Sequence, residues 1–133
     1  MENVREIYNF LKSANNYYLA TVEDNKPRVR HFGTVDIYKD KITIQTGLKK
    51  SVAKQMIKNP NVEICAFDKG KWIRVEAKVS LDDSVEASKH MLESYPSLKG
   101  MYTPGDGNCC VFVLNSGVAT IYSFSEAPKV IKF

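Results

Sequence analysis

The feature that most constrains this chain is an unbroken alternation from Trp72 to Leu81. Ile73, Val75, Ala77, Val79 and Leu81 fall on one side of an extended segment, and Trp72, Arg74, Glu76, Lys78 and Ser80 on the other. A period of two residues marks a strand with one buried face, because successive side chains point to opposite sides of a sheet. Such a strand needs antiparallel partners, and the neighbouring segments supply them. Tyr17–Val22, Arg28–Tyr38, Ile42–Thr46 and Val62–Asp68 read as strands. They are punctuated by Glu23–Pro27, Lys39-Asp40 and Lys69-Gly70, residue types that favour turns. Cys110–Leu114 and Val118–Phe124 follow, with Asn115-Ser116-Gly117 expected as the turn between them.

Helical spacing is confined to short stretches. Val4, Ile7, Tyr8 and Leu11 share one face of a helix expected over Asn3–Ala14, and Val52, Met56 and Ile57 one face of Ser51–Asn59, which Pro60 ends. Asp83 followed by Glu86 resembles a capping box opening a helix that runs to about Tyr95 and stops at Pro96. About six strands with short turns and few helices predict a mainly β fold, a small antiparallel barrel in preference to a doubly wound sheet. A chain of 133 residues suits one domain spanning 1–133.

Charge and composition narrow the function. Nineteen basic and 15 acidic residues give a net charge of +4, short of the dense cationic stripe of a nucleic-acid binder. No apolar run approaches the roughly 20 residues that cross a bilayer, and the start, Met1-Glu2-Asn3-Val4-Arg5-Glu6, does not read as a secretory signal. Cys65, Cys109 and Cys110 make an odd set, consistent with reduced thiols and a cytoplasmic location. They lack the paired spacing of a zinc site, so no metal is expected. The Cys109-Cys110 pair reads as packing, His31 as a core or barrel-end residue, and His90 as a solvated helix residue.

Two groups of residues carry chemistry. Along Arg28–Tyr38, alternation assigns Val29, His31, Gly33, Val35 and Ile37 to the core and Arg28, Arg30 and Phe32 to the outside. With Trp72 and Arg74 also outside, that surface is expected to be a subunit interface or a seat for a planar ligand. The plainer alternative is partial exposure or a helix seam. The second group is Gln45-Thr46-Gly47-Leu48-Lys49-Lys50-Ser51, where a strand ends and a helix begins. Ser51 is a plausible N-cap, with Lys50 an alternative boundary. A helix N-terminus with hydroxyls, a glycine and lysines suits a phosphate, while a surface cap with solvated lysines is the plain alternative. The pattern is not a Walker loop.

In order and spacing these residues resemble the FMN-binding split-barrel proteins of the pyridoxamine 5′-phosphate oxidase-like superfamily. The resemblance runs from Tyr17 to Leu81, through Pro27–Phe32, Gln45-Thr46-Gly47 with Lys50-Ser51, Lys58–Val62 and Trp72–Val75. It implies a six-stranded antiparallel split barrel, a homodimer and FMN in clefts between two chains. It further implies Arg28, Val29 and Arg30 along the flavin and ribityl chain, Thr46, Lys50 and Ser51 at the phosphate, and Gln45 and Trp72 near the ring. The oxidases of this group end in a segment with arginine and tryptophan that grips flavin and substrate. Here Tyr122–Pro128 and a short lysine-containing tail stand instead, so oxidation of pyridoxamine phosphate is not expected. Small members such as those like nitroimidazole reductases and general stress proteins look closer. The resulting expectation is an oxidoreductase passing electrons from NAD(P)H to a small-molecule acceptor, with no side chain nominated as acid or base. A non-catalytic flavin or haem carrier is the first alternative. A barrel binding single-stranded nucleic acid through Arg28, Arg30, Phe32 and Trp72 is the second.

Overall fold

Strand formation follows the alternation most faithfully where it is longest. In the computed structural model, which describes residues 1–133, Lys71–Asp82 forms one strand with Ile73, Val75, Ala77 and Val79 buried and the intervening residues on the other face. In chain order the strands are β1 (Tyr17–Glu23), β2 (Lys26–Phe32), β3 (Asp36–Tyr38), β4 (Lys41–Gly47), β5 (Asn61–Asp68), β6 (Lys71–Asp82), β7 (Cys109–Ser123) and β8 (Lys129–Lys132). The helices are α1 (Glu2–Ala14), α2 (Ser51–Lys58) and α3 (Val85–Ser94), the last followed by a 3₁₀ turn at Pro96–Gly100. The fold is thus mainly β with antiparallel pairing throughout, as expected, but with eight strands instead of six.

The sheet runs β2-β1-β5-β6-β7-β4-β3, with β8 added alongside β7. Asp24-Asn25, Lys39-Asp40 and Lys69-Gly70 all have positive φ, the backbone of tight hairpin turns whose twist matches that of the flanking strands. Ile7 and Leu11 of α1 and Val52, Ala53 and Met56 of α2 close over the sheet's inner residues, among them Ile44, Ile64, Val75 and Phe112. Burying each such side chain contributes about 1.5–3 kcal/mol.

Four expectations are corrected. Arg28–Tyr38 is not one strand: it breaks at Gly33-Thr34-Val35 into β2 and β3, the two ends of the sheet path. Asn115-Ser116-Gly117 is not a turn but part of the continuous β7, which pairs with β6 from Ser123 to Val111 with a register shift opposite Lys78/Val79. Asn115 is the extra residue of a β-bulge there. The nearby Gly117 answers a close approach, since a Cβ on it would lie 1.9 Å from the Glu76 carbonyl oxygen. The bulge lets β7 change neighbours, pairing with β4 over 109–114 and with β8 over 118–121. Third, α3 is capped by Ser84, whose side chain accepts from the Ala87 N–H, so the capping motif starts one residue later than Asp83. At α2 the cap is Lys50, the alternative boundary that the sequence left open, and Ser51 is the first helical residue.

The fourth correction concerns the faces of β2. Val29 is 68% exposed and His31 is exposed, while Arg30 and Phe32 are half-buried. Strand β2 is an edge strand, paired with β1 alone. Arg28, Arg30 and Phe32 stand beside Thr21, Leu19 and Tyr17, the inward residues of β1. At an edge that face meets the rim and α2, where a long polar side chain can bury its stem and keep its head solvated.

Because the two ends of the sheet are joined by only Gly33-Thr34-Val35, the sheet curls until β2 and β3 meet without pairing. The gap is pinned by side chains. The Gln45 N–H donates to the Thr34 hydroxyl at 3.0 Å, and the Tyr17 hydroxyl donates to the Thr34 carbonyl. The Tyr95 hydroxyl bonds both the N–H and the carbonyl of Val35, at 3.1 and 3.2 Å. These bonds satisfy backbone groups that a closed barrel would have paired across the gap.

Candidate functional site

The split in the barrel is also where the polar groups converge. A cleft of about 460 Å³ opens there, lined by Arg30 to Thr34 on one side and by Gln45, Thr46 and Lys50 on the other. Its third wall is largely apolar and comes from the segment that follows α3: Tyr95, Leu98, Met101 and Tyr102, with Ser97 among them.

Arg30 is held along the inner rim. Its guanidinium donates to the Gln55 Oε1 at 2.6 Å, the Thr21 hydroxyl at 2.7 Å and the Leu19 carbonyl at 3.2 Å. Thr21 in turn donates to the same Gln55 oxygen at 2.6 Å. Burial lowers the Arg30 pKa from the ordinary arginine value, and Glu23 acts in the opposite sense. Gln55 is therefore the group that orients Arg30, and the sequence reading passed over it. Its signal was a glutamine between the apolar Val52 and Met56 on the packed face of α2, where a polar side chain stays only with partners.

The N-terminus of α2 forms the opposite lip. Its cap has no side-chain hydrogen bond and its first turn no acid, so the first-turn N–H groups and the helix dipole meet no protein anion. Neither Lys49 nor Lys50 enters an ion pair. The segment before the cap is fixed by the 103–109 turn: the Leu48 N–H donates to the Asn108 carbonyl at 2.7 Å and the Lys49 N–H to the Asn108 Oδ1 at 3.0 Å. Thr46 is buried at the cleft, and Gln45 faces the α3 side, its amide donating to the Thr46 carbonyl at 3.1 Å.

Of the residues singled out from the sequence, the cleft brings together Arg30, Gln45, Thr46 and Lys50. Ser51, the first residue of α2, is exposed beside Lys50. Arg28 is exposed and paired with Glu23 at 3.1 Å near the hairpin tip. Val29 and Trp72 lie on the outer face of the sheet, away from this cleft. There Trp72 stacks on Tyr122 with centroids 5.5 Å apart and contacts Phe124 at 5.1 Å. His31 is exposed, not buried as expected, and its Nε2 meets the Asn16 Oδ1 at 2.7 Å. His90 is exposed as expected but bonds the buried Asp36 at 2.7 Å.

Other features are less suited to chemistry. Cys109 and Cys110 are both buried, and burial pushes the Cys110 thiol up to about 12, so it stays protonated at neutral pH. No group of three His, Cys, Asp or Glu side chains could hold a metal ion, and no helix is long and apolar enough to cross a membrane. A second hollow, of about 570 Å³, lies on the outer face around Ala20, Pro27, Glu63, Glu76 and Lys78. It offers two carboxylates against one lysine and so lacks the cationic convergence of the cleft.

Comparison with known proteins places this geometry. A family model described as pyridoxamine 5′-phosphate oxidase matches residues 4–130. A NimC/NimA family protein from Clostridium acetobutylicum is 39% identical with a TM-score of 0.96, covering 99% of this chain and 93% of that one. A pyridoxamine 5′-phosphate oxidase-related FMN-binding protein from Nostoc punctiforme has 14% identity and a TM-score of 0.58, covering 99% of this chain and 93% of its own. A haem-binding protein from Mycobacterium smegmatis has 13% identity and a TM-score of 0.72 over 98% of this chain and 57% of that chain. The last two share the fold, which is the split barrel. No curated protein matches the sequence.

Proposed function

The chain belongs to the pyridoxamine 5′-phosphate oxidase family, and on that premise we propose that it is a homodimeric FMN-binding oxidoreductase. The observation that carries this reading is the cleft at the barrel split, where cationic and hydroxyl groups face an apolar wall. FMN has the same two-part character, an anionic phosphate at one end and a planar apolar ring at the other. The donor set fits: Lys50, Ser51, Thr46 and the uncapped amides of α2 hold the phosphate, and Arg30 lies along the ribityl chain, while Arg28 and Val29 stand outside the cleft and are assigned no contact in it. Tyr95, Leu98, Met101 and Tyr102 exclude water from the ring, and Gln45 supplies a polar contact near it. When bound, FMN supplies two-electron redox chemistry, while the protein sets its position and electrostatics. Electrons pass from NAD(P)H to a small-molecule acceptor.

The second subunit is supported by the outer face of the sheet. Tyr18 at 57%, Val29 at 68%, Phe67 at 63%, Phe124 at 92% and Val130 at 58% exposure leave large apolar side chains in water on one chain. Large apolar side chains gathered on one sheet face make the kind of surface that association covers. His31 lines the cleft and also lies beside Tyr18 on that face, so a partner docked there borders the cleft and can bring its own Trp72 to the ring. Nucleic-acid binding is not proposed, because Arg30 and Phe32 face the inner rim and Trp72 the outer surface. A haem carrier is the second reading, favoured by His31, whose Nδ1 lies outside its bond to Asn16.

The test is to purify the protein, add FMN and measure affinity in the native chain and in a Lys50→Ala, Ser51→Ala double variant. The expected result is a folded variant that binds FMN at least about tenfold more weakly, as the loss of charge-assisted bonds implies. Equal affinity would remove the phosphate assignment. Bleaching of the flavin by NAD(P)H followed by recovery with an added acceptor supports turnover, and its absence with either nucleotide supports a carrier. A Soret band with haemin and no flavin binding would favour haem.

A further inference from the structure

The anion-binding loop is shaped by a second loop that is remote in sequence. Between α3 and β7 the chain makes a turn over 103–109 around Asp106, whose carboxylate accepts from the N–H groups of Thr103 at 2.9 Å, Asn108 at 2.8 Å and Cys109 at 2.7 Å. These three donors hold the Asp106 carboxyl below the ordinary carboxylate value. Gly105 and Gly107 have φ of 79° and 77°, a conformation that favours glycine. The turn thereby delivers Asn108 to the segment ahead of α2. There its carbonyl receives the Leu48 N–H at 2.7 Å and its Oδ1 the Lys49 N–H at 3.0 Å. The fit is close: a Cβ on Gly47 would lie 3.0 Å from the Asn108 side-chain amide and 3.2 Å from the Tyr102 ring.

We propose that Asn108 is a positioning residue for the phosphate end of the ligand, acting through the 47–50 loop that it templates. This rests on the reading that the loop and the α2 N-terminus hold the phosphate of FMN. Pairing the Leu48 and Lys49 amides with Asn108 fixes the approach of the chain to the helix. It also leaves the Lys50 side chain and the first-turn amides of α2 directed to the ligand. A loop preset in this way binds an anion without first losing conformational entropy. Asn108 itself does not line the cleft. It acts on phosphorylated ligands alone, so removing it changes discrimination between FMN and riboflavin, which differ only in the phosphate.

The experiment measures FMN and riboflavin binding to the native protein, to Asn108→Ala and to Asn108→Asp, together with amide exchange at Leu48 and Lys49 without ligand. Asn108→Ala is expected to weaken FMN about fivefold to tenfold, the loss of one net hydrogen bond, to leave riboflavin within about twofold, and to speed exchange at Lys49. Asn108→Asp keeps an acceptor for the Lys49 N–H and is expected to restore its protection. Equal weakening of both flavins, or unchanged exchange at Lys49 in Asn108→Ala, would overturn the proposal. If the native protein binds neither flavin, the function reading falls. The templating role is then decided by Lys49 exchange and by inorganic phosphate, whose binding must weaken in Asn108→Ala for the proposal to stand.

Discussion

Strands β6 and β2 alternate in the same way and use the alternation differently. Strand β6 is hydrogen-bonded on both sides, to β5 and β7, and its apolar face is buried from Ile73 to Val79, with Ile73 and Val75 both 0% exposed and only Leu81 at its end reaching solvent. Strand β2 is bonded to β1 alone. It shows Val29 to solvent and turns Arg30 inward onto Gln55 and Thr21. The central strand therefore contributes to stability, and the edge strand supplies polar reach at the one place where the barrel does not close. A split barrel can place a cationic group at its rim because an edge strand is not required to bury a hydrocarbon there.

This contrast can be broken in three ways. The largest effect is expected from Ile73→Ala on β6, which removes fully buried volume and lowers the unfolding free energy by about 2–5 kcal/mol. A loss under 1 kcal/mol in denaturant unfolding would show that β6 is not the structural strand. On β2, Arg30→Ala is expected to act chiefly on the ligand. FMN affinity falls roughly tenfold to a hundredfold, from the loss of charge-assisted bonds of about 1.5–3 kcal/mol, while unfolding shifts by no more than about 1 kcal/mol. The reverse order, large destabilisation with flavin binding intact, would make Arg30 a structural rim group only. The smallest effect is expected from Val29→Thr, within about 0.5 kcal/mol because the site is exposed. A loss above 1 kcal/mol, measured at a concentration where the chain is monomeric, would return Val29 to the core.

The legibility of the sequence follows the same divide. In β6 neighbours on both sides fix which face is inward, so alternation read alone identified Ile73 and Val75 as inward-facing. In β2 the same reading chose the wrong face, because Val29 and His31 are the more apolar set and nothing local says that the strand lies at an edge. Asn115-Ser116-Gly117 carried a turn composition that a bulge shares, since both need an extra residue and a small side chain. Strand β8 was missed because Lys129–Lys132 has only four residues and pairs solely through β7. At the lip of the cleft, the strand-to-helix junction that carries Thr46, Lys50 and Ser51 was legible in the sequence. Gln55, Asn108 and the Tyr95–Tyr102 wall were not, for Gln55 acts through Arg30, 25 residues away, and Asn108 and the wall come from segments distant in sequence from the junction.

By itself, then, the order of residues determined the antiparallel mainly β character, the hairpin turns and the phosphate-suited junction, because each depends on side chains within a few positions of one another. The tertiary structure alone decided that the barrel stays split between β2 and β3, that Arg30 turns inward at that gap, and that the segment following α3 closes it with a largely apolar wall. Those outcomes depend on which strand ends at an edge, and edges are created by long-range pairing that no local pattern encodes.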